Sequence, residues 1–303
     1  MPGSSSYRTG VWLGITAYTV WGLSPIFWNL VEEVPPIEVL AHRVLWAIPI
    51  LLVVVAIRQR WTALRAAYRN PRTVAIAILG GAVLMVNWGV FLWAVTSGHI
   101  VEISLGYFIN PLVSVALGVL VLRERLRPGQ WLAVAIAGAG VLSMAIMLGV
   151  PPWISLTLAL TFGFYGLLKK QPAAARALEG LLGEVATMAI PVLILLGILA
   201  SRGESSFNDS PTVAAFLIGA GIMTVGPLLL FGAAAQRIPL TMVGLLQYLA
   251  PTLQLIVALT IYNETLSGPD VVGFVMVWIA LAVYTTDNIR HARQVRALSE
   301  ATQ

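Results

Sequence analysis

Long apolar segments recur along this chain, and each is near the length of about 20 residues that a helix needs to cross a bilayer. Transmembrane β-strands show alternating polarity over about ten residues, whereas these segments are continuously apolar. The sequence therefore predicts an all-α polytopic membrane protein with ten transmembrane helices. The ten segments are 11–30, 37–57, 73–95, 101–122, 130–148, 152–168, 180–200, 211–234, 241–262 and 269–288.

The composition excludes several classes of protein. Only 10% of the residues are charged and 58% are hydrophobic, whereas a soluble domain carries about 25% charged residues. A soluble enzyme, a nucleic-acid-binding protein and a disordered protein are therefore not expected. The chain has no cysteine, so thiolate metal sites and cysteine nucleophiles are excluded, and no nucleotide-binding loop or cofactor motif stands out.

The basic residues predict the orientation in the membrane. If the N-terminus is cytoplasmic and the segments alternate, all but two of the 18 lysines and arginines fall on the cytoplasmic side. Arg202 falls outside and Arg43 lies within a segment. This agrees with the positive-inside rule. We therefore expect an integral protein of the cell (inner) membrane with cytoplasmic tails at 1–10 and 289–303.

The two halves of the chain resemble each other at a shift of about 140 residues. Ser104–Pro111 aligns with Gly244–Pro251, and Glu124 aligns with Glu264. Five segments per half is an odd number, so the second half would enter the membrane from the opposite side. Inverted repeats of this kind are typical of secondary transporters. We predict two inverted five-helix repeats, 11–148 and 152–288, although apolar helices can also align by coincidence.

Several motifs resemble a known family. They are Glu38-x-x-x-His42-Arg43-x-x-Trp46, Asn87-Trp88, the block from Glu102 to Leu112, and Gln247-Tyr248. Together they make the chain similar to the RarD-type branch of the EamA proteins, in the drug/metabolite transporter superfamily. The resemblance implies ten helices, a central cavity between the repeats, and export or exchange of small metabolites or drugs. Members of that branch are commonly labelled chloramphenicol-sensitivity permeases.

Charged residues inside the apolar segments are candidates for proton coupling or gating, because a charge in the bilayer is costly unless it pairs or lines water. Glu38 and His42 are four residues apart and share a helix face. We expect an outer-half cluster in which Arg43 neutralises one carboxylate and another group titrates: Glu38, His42, Arg43 and Glu102. The alternative is a structural ion pair at the mouth of the helix.

Glu184 aligns with His42 in the repeat. It is therefore a candidate for the inner counterpart of that cluster. The alternative is a carboxylate at the cytoplasmic interface beside Lys169 and Lys170.

Pro111 and Pro251 interrupt matching segments of the two halves. A proline frees a backbone carbonyl about one turn earlier, and paired interruptions point to a substrate site near the midplane. The candidate substrate-binding residues are aromatic or carry amides: Trp21, Asn87, Trp88, Tyr107, Asn110, Gln247 and Tyr248. They favour an aromatic or amphipathic solute. Interhelical packing is the alternative explanation.

The sequence as a whole predicts a secondary transporter that works by alternating access, compatible with proton coupling. A channel, a non-transporting membrane scaffold and an intramembrane enzyme are the alternatives. No buried nucleophile–base pair or metal constellation is evident, so we expect neither enzymatic activity nor a metal site. The run of small residues Ala135–Gly140 is compatible with a homodimer face.

Overall fold

The computed structural model describes residues 4–149, 152–263 and 268–301, and within them the regular elements are helices. Short connections join most of the helices, with no soluble domain between them in the described residues. They are α1 (Ser4–Trp28), α2 (Pro36–Ile57), α3 (Trp61–Ala67), α4 (Pro71–Thr96), α5 (Ile100–Leu120), α6 (Pro128–Leu148), α7 (Trp153–Lys169), α8 (Ala177–Arg202), α9 (Pro211–Ala235), α10 (Leu240–Gln247), α11 (Leu249–Thr260) and α12 (Gly268–Ala301). Short 3₁₀ turns lie at Asn29–Val31 and Ser206–Asn208.

Eight of the helical segments are long and apolar enough to cross a membrane, when α10 and α11 are taken as one segment. Helix α7 is apolar but has only 17 residues, and α1 is not among the eight. The protein is therefore an all-helical integral membrane protein.

The helical boundaries differ from the predicted ones at both ends of the chain. Helix α1 begins at Ser4 and α12 continues to Ala301, so most of the predicted tails 1–10 and 289–303 is helical. The short helix α3 was not predicted, because seven residues are too few to show an apolar period.

Proline, serine and asparagine begin several helices as their chemistry requires. Proline occupies the first turn of α2, α4, α6 and α9, where its missing N–H group has no helical partner to lose. Asn70 and Ser210 cap α4 and α9 by accepting hydrogen bonds from backbone N–H groups. At the other ends, Gly149 and Gly203 adopt φ values of +62° and +68°, which glycine tolerates best.

The two matching prolines have different effects. The helix breaks between Gln247 and Leu249, one turn before Pro251, as expected from the carbonyl that Pro251 leaves without a partner. Helix α5, in contrast, continues through Pro111. The expectation of paired interruptions was wrong for the first half. Gly244 of α10 packs closely against the carbonyl of Pro111. Helix α5 is therefore tightly packed at its proline, where it stays continuous.

The contacts between helices are symmetric when the two halves are exchanged. Helix α1 packs on α9 and α11, while α7 packs on α4 and α5. Helix α2 packs on α9, as α8 packs on α4. The remaining large contacts join equivalent helices to each other: α2 with α8, α5 with α10, and α6 with α12. The two halves therefore contact each other through most of their long helices.

One end of the bundle, which we call the basic end, gathers the connections rich in lysine and arginine. These connections are tied to one another. Arg60 forms an ion pair with Glu179 at 2.7 Å, Arg127 pairs with Asp287 at 2.6 Å, and Lys170 donates to the carbonyl of Ile238 at 2.7 Å. Partial burial lowers the pKa of the Lys170 ammonium.

Glu124 also lies at the basic end. Its carboxylate accepts hydrogen bonds from the backbone N–H groups of Leu240 and Thr241, at 2.7 and 2.9 Å. A carboxylate is stabilised at a helix N-terminus by the helix dipole. Glu124 thus braces the start of α10, whereas its expected repeat partner, Glu264, lies outside the described residues.

Candidate functional site

Arg43 lies where the two halves of the bundle meet. It is seven residues into α2, or about 10 Å along the axis from the start of that helix. Its Nε donates a hydrogen bond of 2.9 Å to the hydroxyl of Thr224 in α9. Its Cζ lies 4.5 Å from the ring centroid of Trp88 and 5.2 Å from that of Trp28. Cation–π contacts therefore stabilise the guanidinium.

The terminal nitrogens of Arg43 remain open. They donate no hydrogen bond to another residue in the described ranges, and no carboxylate of those ranges lies within ion-pair distance. They are not among the fully buried polar atoms that lack a partner, and the side chain is only half-buried. The guanidinium therefore presents free donors to accessible space.

Tyr107 of α5 lies within electrostatic reach of Arg43. It is seven residues from the start of its own helix and its side chain is 38% exposed. Asn110 follows three residues later on the same helix, and its buried Oδ1 has no hydrogen-bond partner among the described residues. The Tyr107 side chain thus remains available near the arginine, whereas the Asn110 oxygen is enclosed by the protein.

The structure does not form the expected four-residue charged cluster. Glu38 is fully buried and accepts hydrogen bonds from the hydroxyl of Ser205 and the N–H of Ser206, at 2.8 and 2.9 Å. His42 Nε2 lies 3.7 Å from Glu38 Oε1, and its ring stacks on Phe207. This pair therefore fastens α2 to the segment 205–207.

Arg43 cannot join that pair for a geometric reason. Successive residues of an α-helix are rotated by about 100°, because there are 3.6 residues per turn. His42 faces the segment 205–207, so Arg43 faces a different neighbour. The expectation that Arg43 neutralises a carboxylate was wrong in this structure.

Glu102 forms a separate group with its own neighbours. Its carboxylate lies 2.9 Å from His99 Nδ1, and its backbone carbonyl accepts a hydrogen bond from Ser155. The His99 ring stacks on Trp93 at 5.1 Å. Glu102 thus ties the start of α5 to α4 and α7.

Glu184 is part of a buried ion pair in the half of the bundle nearest the basic end. Its Oε1 lies 2.5 Å from Lys169 Nζ, and its Oε2 accepts a hydrogen bond from Tyr165. Both charged side chains are only 3% exposed. A pocket of about 200 Å³ opens beside Lys169 and Lys170, towards the surface of the basic end.

Trp21 lies in an aromatic cluster rather than at Arg43. Its ring centroid is 5.7 Å from Phe162 and 5.9 Å from Phe231. Tyr18 and Tyr165 complete this cluster, which joins α1, α7 and α9. Because Tyr165 also bonds Glu184, the aromatic cluster and the ion pair form one packed layer.

Three of the candidate substrate-binding residues hold helices together. Asn87 donates to the carbonyl of Leu158 and the hydroxyl of Thr161. Gln247 accepts a hydrogen bond from Ser114 at 3.3 Å. Tyr248 is fully buried and donates to the carbonyl of Phe108. These side chains meet α5 and α7 instead of the space around Arg43.

Sequence reasoning missed Trp28 and Thr224, and it named Lys169 only in the alternative interpretation of Glu184. Trp28 and Thr224 come from other helices than Arg43 and have no charge to mark them, so no local signal identifies them. Lys169 does carry a signal, because it is a lysine that directly follows an apolar segment. Its pairing with Glu184 depends on how α7 packs against α8.

The arrangement around Arg43 is suited to binding rather than to covalent chemistry. One cation with open donors, two indole faces and the exposed side chain of Tyr107 make up this site. Aromatic faces and a few placed polar groups are typical of small-molecule sites.

Comparison with known proteins identifies the family. The EamA-like transporter family matches the chain twice, over residues 8–146 and 152–286. This chain belongs to the EamA-like transporter family. It is 43% identical to the protein RarD of Streptomyces exfoliatus, over 99% of this chain and 96% of that protein. It is 41% identical to an uncharacterized transporter of Pseudomonas aeruginosa, over 96% of this chain and 98% of that protein.

These relatives place the chain in the RarD-type branch of the EamA family, as the sequence motifs predicted. A solved crystal structure superposes on this one with a TM-score of 0.73, over 91% of this chain and 97% of the other. The two sequences are 19% identical, so this likeness concerns the fold alone. The protein is a membrane transporter that handles a small molecule in a lipid bilayer.

Proposed function

We propose that this protein is a secondary transporter that carries a small metabolite or drug by alternating access through the site around Arg43. The observation that carries the proposal is an arginine with open donors at the seam between the halves, held by α2 and bonded to α9. A site at the seam of two moving bundles is what alternating access requires.

The proposal includes ten membrane-spanning segments arranged as two inverted repeats, 11–148 and 152–288. The exchange symmetry of the helix contacts supports it, as does the double match of the family to the two halves. In this arrangement α1 and α7 also cross the membrane. The equivalent helices α2 and α8, α5 and α10, and α6 and α12 meet on the axis that relates the repeats.

We infer that the basic end faces the cytoplasm, because lysine and arginine favour that side. Both chain termini are then cytoplasmic. The aromatic cluster and the Lys169–Glu184 pair lie between this end and Arg43. We therefore propose that this conformation is closed towards the cytoplasm and that transport requires this layer to separate.

Export or exchange is the direction that we propose, with proton coupling through one of three carboxylate groups. Glu38 has His42 beside it, Glu102 has His99, and Glu184 has Lys169. Protonation of the carboxylate removes its negative charge and so changes the net charge that it shares with its basic partner. Replacing each carboxylate singly by glutamine identifies the coupling group, since only that variant loses the response of transport to a pH gradient.

Counterflow in proteoliposomes tests the proposed transport. Vesicles loaded with a panel of unlabelled metabolites and drugs, chloramphenicol included, are exposed to traces of the same labelled solutes. A carrier accumulates label transiently without any ion gradient and saturates with concentration. Arg43→Gln should abolish this exchange, whereas Arg202→Gln, which removes an exposed arginine, should leave it intact. Flux that never saturates contradicts the proposal.

A further inference from the structure

We propose that the solute bound at Arg43 is a small organic monoanion, with a carboxylate at one end and an apolar or aromatic body. This inference rests on the proposed transport function and specifies its substrate class. It starts from the charge balance around Arg43, which the protein leaves incomplete.

A buried or half-buried arginine normally has an acidic partner, because a lone charge away from water is costly. Here the compensation comes from two indole faces and one hydroxyl. The two carboxylates expected beside Arg43 have other partners. Glu38 accepts hydrogen bonds from Ser205 and Ser206, and Glu102 lies at hydrogen-bond distance from His99. The full positive charge of Arg43 is therefore available to a ligand.

The open atoms of Arg43 define how an anion approaches. Trp28 and Trp88 present their ring faces to the guanidinium, and Nε is used by Thr224. What remains is the edge that carries the two terminal nitrogens. Two parallel N–H groups on one edge match the two oxygens of a carboxylate, which form short, charge-assisted hydrogen bonds in this geometry.

The surroundings also limit the net charge and the shape of the solute. Among the described residues near this position, Arg43 is the cation without an acidic partner, so a single negative charge is neutralised and a second one is not. Indole rings and the exposed side chain of Tyr107 favour an apolar or aromatic body next to the carboxylate.

Binding of matched charged and neutral probes tests the inference. The purified full-length protein in detergent is titrated at pH 7.4 with benzoate and benzamide, and with indole-3-acetate and indole-3-acetamide. Within each pair the shapes are nearly equal and only the charge differs. The dissociation constant should be at least about tenfold lower for the carboxylate, because hydrogen bonds to charged groups are the stronger ones.

Three variants assign the effect to the guanidinium. Arg43→Gln should raise the dissociation constant of the carboxylates about tenfold to a hundredfold. Arg43→Lys, which keeps the charge without the paired donors, should lose part of that affinity. Arg202→Gln should bind like the unchanged protein. Equal affinity for the amides, unaltered carboxylate binding by Arg43→Gln, or no carboxylate binding at millimolar concentration each overturns the inference.

Failure of the transport proposal gives a different result. A carboxylate that binds through Arg43 but shows no counterflow contradicts transport and leaves the anion site standing. Counterflow that only neutral solutes support contradicts the anion site and leaves transport standing.

Discussion

Two basic groups inside the helical bundle, Lys169 and Arg43, are neutralised in different ways. Lys169 has a carboxylate at 2.5 Å and a tyrosine ring under its ammonium group. Arg43 has two indole rings and a hydroxyl, but no carboxylate in the described ranges. The charge of Lys169 is balanced within the protein, whereas the charge of Arg43 is left to be balanced by a ligand.

This difference separates a structural layer from a binding site. Removing one partner of a self-contained pair leaves an uncompensated charge, so its main effect should be on stability. Removing a cation that has no acidic partner leaves nothing uncompensated, so its main effect should be on ligand binding and transport. The following predictions run from the largest to the smallest expected effect on stability.

Glu184→Gln should have the largest effect. It leaves the Lys169 ammonium buried without a counter-charge, and breaking a buried pair typically costs about 3–5 kcal/mol. Unfolding in detergent, followed by circular dichroism against temperature or denaturant, measures the loss. The double variant Lys169→Met with Glu184→Gln is the control, because it removes both charges and should recover most of the stability. A single variant as stable as the unchanged protein would show that the pair does not brace this layer.

Gly81→Ala should be next, because it tests how closely α4 and α8 approach beside Glu184. A Cβ at position 81 would lie 2.6 Å from the carbonyl oxygen of Glu184 and would also collide with Thr187. Overpacking of this kind costs about 1–3 kcal/mol. Gly89→Ala on the same helix is the matched control, since nothing lies within 4 Å of its Cβ position. The same unfolding measurement should show no loss for Gly89→Ala, and equal values for both variants would contradict the close approach.

Glu38→Gln should have a smaller effect on stability, confined to the end of the bundle opposite the basic end. Glutamine keeps one oxygen acceptor but loses the charge-assisted part of the bonds to Ser205 and Ser206, worth about 1 kcal/mol. Hydrogen–deuterium exchange should show faster exchange of the Ser206 amide, with little change at the basic end. Glu204→Gln, at an exposed neighbouring position, should not alter that exchange. Unchanged protection in Glu38→Gln would mean that this carboxylate does not hold the segment.

Arg43→Gln should change stability least while removing transport. The lost cation–π contacts are worth about 1 kcal/mol at such sites, and the relief of an unpaired charge offsets them. The free energy of unfolding should therefore stay within about 1 kcal/mol of the original, and counterflow should vanish. A loss of stability as large as that of Glu184→Gln would erase the distinction between the two regions.

Eight membrane-crossing segments could be predicted because apolar length alone determines them. The predicted spans in α1 and α7 are not among those eight. The family could be predicted from motifs such as Glu38-x-x-x-His42-Arg43. The neighbourhood of Glu38 and His42 follows from their spacing of four residues, and that of His99 and Glu102 could have been found from a spacing of three. These contacts are local, so sequence spacing suffices.

The remaining contacts depend on packing between distant helices. The sequence placed Arg43 with His42, although adjacent residues on a helix point in directions about 100° apart. It treated Pro111 and Pro251 alike, although only the helix at Pro251 breaks. Trp28, Thr224 and Lys169 meet their partners only when α1, α9 and α7 pack against α2 and α8.

Sided labelling of a single cysteine tests the central claim most directly, because the natural chain has none. Tyr107→Cys places a thiol beside Arg43, and a membrane-impermeant maleimide is added separately to each face of oriented vesicles. Alternating access predicts that the thiol reacts from both faces, and that a bound carboxylate slows both reactions. Reaction from one face only, with or without ligand, would contradict a site that opens to each side in turn.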